Sequence, residues 1–222
     1  MEFLPSFGRK RARGLSDAKK NKLEILYKKY GIEIFEGFPQ RLFNNRYEKV
    51  FFEIGFGQGE HLIQSALQNP DIGFIGCDPF ENGVVSLLNK IEQGKLENVL
   101  VYKGDARVLL QKLQPNTISR FYILFPDPWT KKRHHKRRIL SEEFIKYLCQ
   151  NQLGELMIAT DCEDYMLDIL NICNKLGLEH ISNPSILTRQ PKWFLGSRYQ
   201  QKAVKKGATC YYNCIHLASS AN

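Results

Sequence analysis

Apolar and polar positions along this chain follow two periods. Leu23, Leu26, Tyr27 and Tyr30 are spaced among the lysines of "AKKNKLEILYKKYGI" and predict an amphipathic helix that ends at Gly31. From about residue 49, short β-rich runs take turns with helical patterns: "KVFFEIG" then "GEHLIQSALQNP", "IGFIGCDP" then "ENGVVSLLNKIEQG", "NVLVYKGDA" then "RVLLQKLQP". "ISRFYILFPDP" with "SEEFIKYLCQN", and "GELMIATD" with "DYMLDILNICNKLG", add two more units. Apolar strands of this length alternating with helices predict an α/β fold, a mostly parallel sheet with helices on both faces. A final pair of strands, roughly 178–187 and 208–216, has no helix between its members and predicts an antiparallel finish, seven strands in all. "TRQPKWFLGSRYQQKAVKKG" between them is read as a long functional excursion. The expected organisation is a basic arm and helix start over residues 1–30 and a single domain over 31–222.

The chain has 222 residues, 43% apolar and 25% charged, enough to bury a core and ordinary for a soluble globular protein. Charge changes the picture. Lys and Arg number 32 against 23 Asp and Glu, a net +9 that favours a polyanionic partner, nucleic acid or an anionic membrane surface. A basic protein with no specific partner is the bland alternative. No stretch approaches the roughly 18 uninterrupted apolar residues of a membrane-spanning helix, so no membrane is expected. "MEFLPSFGRKRARGLSDAKKNK" lacks the apolar core of a secretory signal, and Pro5 and Gly8 interrupt an amphipathic transit helix. The six cysteines (Cys77, Cys149, Cys162, Cys173, Cys210, Cys214) form no CxxC pair and mostly fall inside apolar segments, which implies a reducing, cytoplasmic location. Cys210 and Cys214 share a strand face without a His or Cys pair of the zinc-binding kind, so no metal is expected. The oligomeric state is left open.

In open α/β sheets ligands bind outside the carboxyl ends of the strands. The first strand ends in "EIGFGQGE", with Glu53 followed by Gly55, Gly57 and Gly59. The glycines let backbone pass close beneath a ligand, and the GxGxG spacing with a preceding acid differs from a dinucleotide fingerprint. The next strands end at Asp78, Asp105 and Asp127, 25, 27 and 22 residues apart in turn from Glu53. Asp78 suits the two hydroxyls of a ribose. Capping of a helix is a competing explanation for any one of these acids, most directly for Asp105 before "ARVLL".

"EIGFGQGEHLI", "GCDP", "GDA" and above all "LFPDPWTKKRHHKRR" resemble the class I S-adenosylmethionine-dependent methyltransferases that make 7-methylguanosine in tRNA. The similarity runs from about residue 49 to the C-terminus, with a looser match in the basic arm. The resemblance implies a Rossmann-like fold, S-adenosylmethionine as cofactor and tRNA as partner. It implies cofactor contacts at Glu53, Gly55, Gly57, Asp78, Asp105 and Asp127, and tRNA contacts at Lys131, Asp161 and the "SRYQ" segment, Ser197, Arg198, Tyr199 and Gln200. One departure stands out: many members read Thr-x-Tyr/Phe-Glu there, and Ser197 and Gln200 replace the Thr and the Glu. Ser keeps a hydroxyl and Gln keeps a carbonyl acceptor, but Gln lacks the charge.

Guanine N7 carries a lone pair and no proton, so its methylation needs no obligatory base. Asp127, fixed between Pro126 and Pro128, is the candidate catalytic group: a carboxylate that stabilises positive charge spreading over the purine and accepts from its N–H edge. Trp129 either stacks on an extruded guanine or packs to shape the loop. His134 and His135 are read as solvated or phosphate-facing. The cations of "KKRHHKRR" are either a solvated face or phosphate ligands, and "RKRAR" and "KWFLGSRYQQKAVKK" add two further basic patches. Two other classes stay open at this point: a non-catalytic RNA-binding protein on a methyltransferase fold, and an NAD-dependent oxidoreductase on the same sheet.

Overall fold

The computed structural model describes residues 14–33 and 36–217; the "RKRAR" run of the arm, Arg9 to Arg13, lies outside them. By their internal contacts the residues form two compact units, one ending at Thr117 and the other beginning at Ile118.

The first unit opens with helix α1 (Asp17–Tyr30) and a single 3-10 turn at Pro39–Phe43, and continues β1 (Val50–Ile54), α2 (Glu60–Gln68), β2 (Gly73–Cys77), α3 (Glu81–Gly94), β3 (Val99–Tyr102) and α4 (Ala106–Leu110). Its strands run parallel in the order β3-β2-β1, with Val50 level with Gly73 and Phe74 level with Val99. Successive strand residues point to opposite faces, and every residue of β1 and β2 is buried, so both faces of these strands are covered. Helix α1 is tied to the end of β3 by one phenol: Tyr27 donates to the Ile32 carbonyl at 2.7 Å and accepts from the Lys103 N–H at 3.0 Å. The buried amide of Asn98 closes the unit from below. Its Nδ2 faces the carbonyls of Ala66, Asn69 and Ile72 at 3.0–3.2 Å, where helix α2 ends and would otherwise leave acceptors without donors.

The second unit contains β4 (Arg120–Leu124), a 3-10 stretch at Lys132–Arg137, α5 (Glu142–Asn151), β5 (Gly154–Thr160), α6 (Glu163–Leu176), α7 (Pro184–Leu187), α8 (Arg198–Lys205) and β6 (Tyr211–Leu217). The strand order is β4-β5-β6. β4 and β5 are parallel, and β6 returns antiparallel to β5 from Gly154↔Leu217 to Thr160↔Tyr211. The antiparallel finish is present, and the excursion before it contains helix α8.

The described residues hold six strands where seven are expected from the sequence. Segment 178–187 makes only an isolated bridge, His180 to Ile215, and then turns into α7. Two features end the strand there. Asn183 caps α7 by accepting from the Ser185 N–H, and Pro184 starts the helix without a donor of its own. Just before them a side chain does the work of a ladder: Asn213, fully buried on β6, accepts from the Ile181 N–H at 3.0 Å and donates to the Ile181 carbonyl at 3.1 Å.

Replacing Asn213 with Ala removes the partner of that donor and of that acceptor, each loss costing about 1–3 kcal/mol. Asn213→Ala is expected to lower unfolding stability by about 3 kcal/mol, read as a fall in the urea midpoint at unchanged slope.

Candidate functional site

In the first unit β1 runs into a glycine turn. Gly55 adopts φ +75°, and a Cβ built on it meets no atom within 4 Å, so the backbone there offers an uncovered cradle that an added methyl would fill. Helix α3 presses on the other side of the turn: a methyl at Gly83 would run into the Gly57 carbonyl. Asp78, at the end of β2, braces the turn. One carboxylate oxygen accepts from the Gly57 N–H and the other from the Phe80 N–H, both at 2.8 Å.

Glu53 lies within β1 and is 3% exposed. It accepts from His61 Nδ1 of α2 at 2.8 Å, an all but dry pair that locks the first turn of α2 onto β1. Asp105 caps α4 by accepting from the Arg107 N–H at 3.0 Å, and the Arg107 guanidinium grips both its oxygens at 2.9 and 2.5 Å. Three of the four strand-end acids therefore have partners inside the protein. The capping explanation holds for Asp105, and Asp78 and Glu53 hold loop and helix in place.

In the second unit the chain leaves β4 through Phe125, Pro126, Asp127, Pro128 and Trp129. Phe125 and Trp129 both take left-handed backbone angles, φ +51° and +45°, which bulky side chains adopt at a cost of about 1–3 kcal/mol each. Asp127 sits exposed at the crest between them, and no described residue bonds its carboxylate. Trp129 is packed into the loop rather than displayed. Its ring meets His134 edge-on at 5.8 Å, and the Arg137 guanidinium lies 5.0 Å from the ring centre. His134 is held below its ordinary pKa, first by burial and then by Arg137 and the other cations around it.

The basic run divides into two parts. Lys131, Lys132, Arg133 and Lys136 are exposed, but Arg138 is 5% exposed and belongs to the scaffold. Its Nε donates to the Pro128 carbonyl at 2.9 Å, Nη2 to Asp164 at 2.6 Å, and Nη1 to Asp168. The guanidinium also lies 4.6 Å from the Tyr165 ring centre, and Tyr165 in turn accepts from the Leu140 N–H at 3.0 Å. Arg138 thus ties the exit of the Asp127 loop to helix α6. Arg138 is therefore neither a solvated cation nor a phosphate ligand, the two alternatives for this run; the two acids four residues apart on α6, Asp164 and Asp168, are the signal in the sequence that separates it.

Ser197 caps α8 by accepting from the Gln200 N–H at 3.2 Å, and Gln200 Nε2 donates to Gln190 Oε1 at 2.6 Å and Tyr212 Oη at 2.8 Å. Both side-chain bonds of Gln200 use its nitrogen. Tyr212, its phenol pushed up to about 12 by burial, packs against Phe194, and Phe194 against Phe125, so the "SRYQ" helix and the Asp127 loop share one aromatic cluster. Arg198 and Tyr199 project from that helix into solvent, and Asp161 is exposed just past β5. Tyr212, Gln190 and Phe194 are positions that sequence reasoning missed.

A family model described as "Putative methyltransferase" matches residues 47–213. A protein of Roseobacter denitrificans named tRNA (guanine-N(7)-)-methyltransferase is 42% identical over 81% of this chain and 74% of its own length. One of the same name from Neorickettsia sennetsu is 41% identical over 76% of this chain and 74% of its own. This chain belongs to the tRNA (guanine-N7)-methyltransferase family. Solved structures with a similar fold include the 16S rRNA methyltransferase KamB (TM-score 0.53, 12% identity, 84% of this chain and 95% of that one). Another, titled as an antibiotic-related methyltransferase, has TM-score 0.51 and 16% identity over 97% of this chain and 100% of that one. At these identities the likeness shows the Rossmann-like class I methyltransferase fold. Membership of the tRNA (guanine-N7)-methyltransferase family sets the NAD-dependent reading aside.

In this member of the tRNA (guanine-N7)-methyltransferase family, the Arg138 clamp yields a stability prediction. Asp164 and Asp168 are 63% and 42% exposed, so their ion pairs contribute little, and the bond to Pro128 with the packing around the buried guanidinium dominates. Arg138→Lys keeps the charge and loses the fork; unfolding stability is expected to fall by about 2 kcal/mol. Trp129 fluorescence, in a Trp193→Phe background, should shift toward that of an exposed indole. Arg138 holds the Asp164 carboxyl below its ordinary range, so the clamp is complete above that range and is lost only as pH falls through the lowered value.

Proposed function

We propose that this chain methylates N7 of a guanine in a tRNA loop, with Asp127 as the residue beside the purine. Family membership supports the reaction, and one observation carries the role of Asp127: an unbonded carboxylate fixed at the crest of a strained loop and followed by four exposed cations. When bound, S-adenosylmethionine supplies an electrophilic methyl group on a sulfonium sulfur. The Gly55 cradle fits the nucleoside part of that cofactor, since backbone can approach a ligand there, and Asp78 at the next strand end braces the same turn.

Because N7 has no proton to lose, the protein's task is to orient the base and stabilise charge. Orientation of two reactants can supply roughly 7–11 kcal/mol of a barrier. Asp127 accepts from the N1–H and N2–H₂ edge of the guanine and stabilises the positive charge that spreads over the ring. Pro126, Pro128 and the Arg138 bond to the Pro128 carbonyl keep its carboxylate from wandering. Lys131, Lys132, Arg133 and Lys136 bind backbone phosphates, and Arg198 and Tyr199 meet the loop from helix α8. Ser197 and Gln200 hold that helix and its contact with Tyr212. Asp161 joins the substrate residues at the end of β5.

The direct test is to incubate the purified protein with labelled S-adenosylmethionine and tRNA lacking the modification, then identify the labelled nucleoside. 7-Methylguanosine is expected; its absence beside an active control enzyme sinks the reading. Asp127→Ala should keep its fold and lose about 10²–10³ in turnover, the size of effect seen when one charge-stabilising group is removed. A folded Asp127→Ala enzyme with near wild-type turnover removes Asp127 from this role.

Affinity should separate from turnover at the exposed cations. Lys132→Ala and Arg133→Ala are each expected to reduce the slope of log affinity for tRNA against log salt by about 0.7–0.9, with turnover at saturating tRNA little changed. Filter binding across a salt series reads the slope.

A further inference from the structure

Away from the residues above, three side chains of different chemistry meet on one face of β5 and β6. Cys214 and His216 are alternate residues of β6 and project to the same side, and His216 lies level with Glu155 of β5. A thiol sulfur, an imidazole nitrogen and a carboxylate oxygen from the three all lie within 4.8 Å of one another. We propose that Glu155, Cys214 and His216 form a binding site for a zinc-type divalent ion that staples the edge strand β6 to β5.

The donor set suits such an ion. Thiolate, imidazole and carboxylate together select a borderline-soft cation over magnesium or calcium, which take oxygen ligands. Metal–ligand bonds of about 2.0–2.3 Å in a tetrahedron place ligand atoms roughly 3.5 Å apart, so modest side-chain rotations close the site. His216 is exposed and the other two are half-buried, so an ion can enter and a water can complete the fourth position. The nearby cation is already placed as an outer partner. Arg120 Nε and Nη2 both donate to Glu155 Oε2, at 2.9 and 2.5 Å, and neither bond takes Oε1. Ligating carboxylates are commonly oriented by such a second hydrogen bond. On binding, Cys214 releases its thiol proton to solvent, so the thiolate and the Glu155 carboxylate together balance the charge of the divalent ion.

A second group, His135 with Asp164 and Asp168, offers no thiolate, and an ion there would compete with the buried Arg138 that both acids hold in the scaffold. No paired cysteines or histidines mark a metal site in the sequence. The Cys-x-His spacing on β6 and the strand register that brings Glu155 beside it supply the missing ligands.

The test uses the full chain after chelator treatment, titrated with Co²⁺. One equivalent is expected to produce a thiolate-to-cobalt charge-transfer band that Zn²⁺ displaces. Cys214→Ser, checked for folding by circular dichroism, should lose the band. His216→Ala, at an exposed position that the fold does not depend on, should bind Co²⁺ at least about tenfold more weakly, the lower end of what losing even an outer partner costs. Zn²⁺ should raise the Tm of the wild type more than that of His216→Ala at the same concentration. Absence of the band in the wild type, its persistence in folded Cys214→Ser, or unchanged affinity in His216→Ala overturns the proposal.

Discussion

A hydrogen bond from the buried Arg138 guanidinium to the Pro128 carbonyl fixes the loop that carries Asp127. That loop is wound through two aromatic residues in left-handed backbone, and such strain persists only where the surroundings over-determine it. Here the over-determination is visible. Prolines set φ on both sides of Asp127, Phe125 is packed on Phe194, Trp129 is boxed by His134 and Arg137, and Arg138 anchors the exit to α6. A carboxylate at the crest of an unconstrained loop would populate many positions. The constraint converts those positions into one before any ligand arrives, which is where a reaction limited by orientation gains most.

The four strand-end carboxylates look alike in sequence, yet the structure gives them different work. Glu53 is consumed by His61, Asp105 by its own helix N-terminus and Arg107, and Asp78 by the amides of Gly57 and Phe80. Only Asp127 among them stands exposed without a bond from a described residue. Each of the other three is spent on holding backbone or helix, and Glu53, 3% exposed with its imidazole partner beside it, is the most enclosed of them.

Parallel strands were easy to read because burial on both faces turns them into continuous apolar runs, and "VFFEI" and "GFIGC" are buried at every position. Their ends, and the glycine turn after the first, followed from the same pattern. The false strand at 178–187 arose because apolar residues there are held by a side chain: Asn213 bonds both backbone groups of Ile181, which no periodicity reveals. The candidate site was legible as residue types at strand ends, and less so as roles. Arg138 is indistinguishable from its neighbours in a run of cations until Asp164 and Asp168 are seen to face it. Gln200 reads as a weakened substrate ligand, and its amide is in fact directed at Gln190 and Tyr212.

A run of six cations in eight residues thus does two kinds of work, and burial decides which. An exposed lysine is hydrated and free to exchange one phosphate for another, so it adds affinity without specifying geometry. A buried guanidinium has given up its water and must be met by fixed acceptors, so it adds geometry and no long-range attraction. His134 falls outside both kinds, because burial and the surrounding positive charge favour its neutral form. Exposed charge therefore resides in Lys131, Lys132, Arg133 and Lys136, and the anchoring of the Asp127 loop in Arg138. The close spacing of these residues lets one short segment carry both: the anchor follows closely on the loop that it holds taut, with the exposed charge between them.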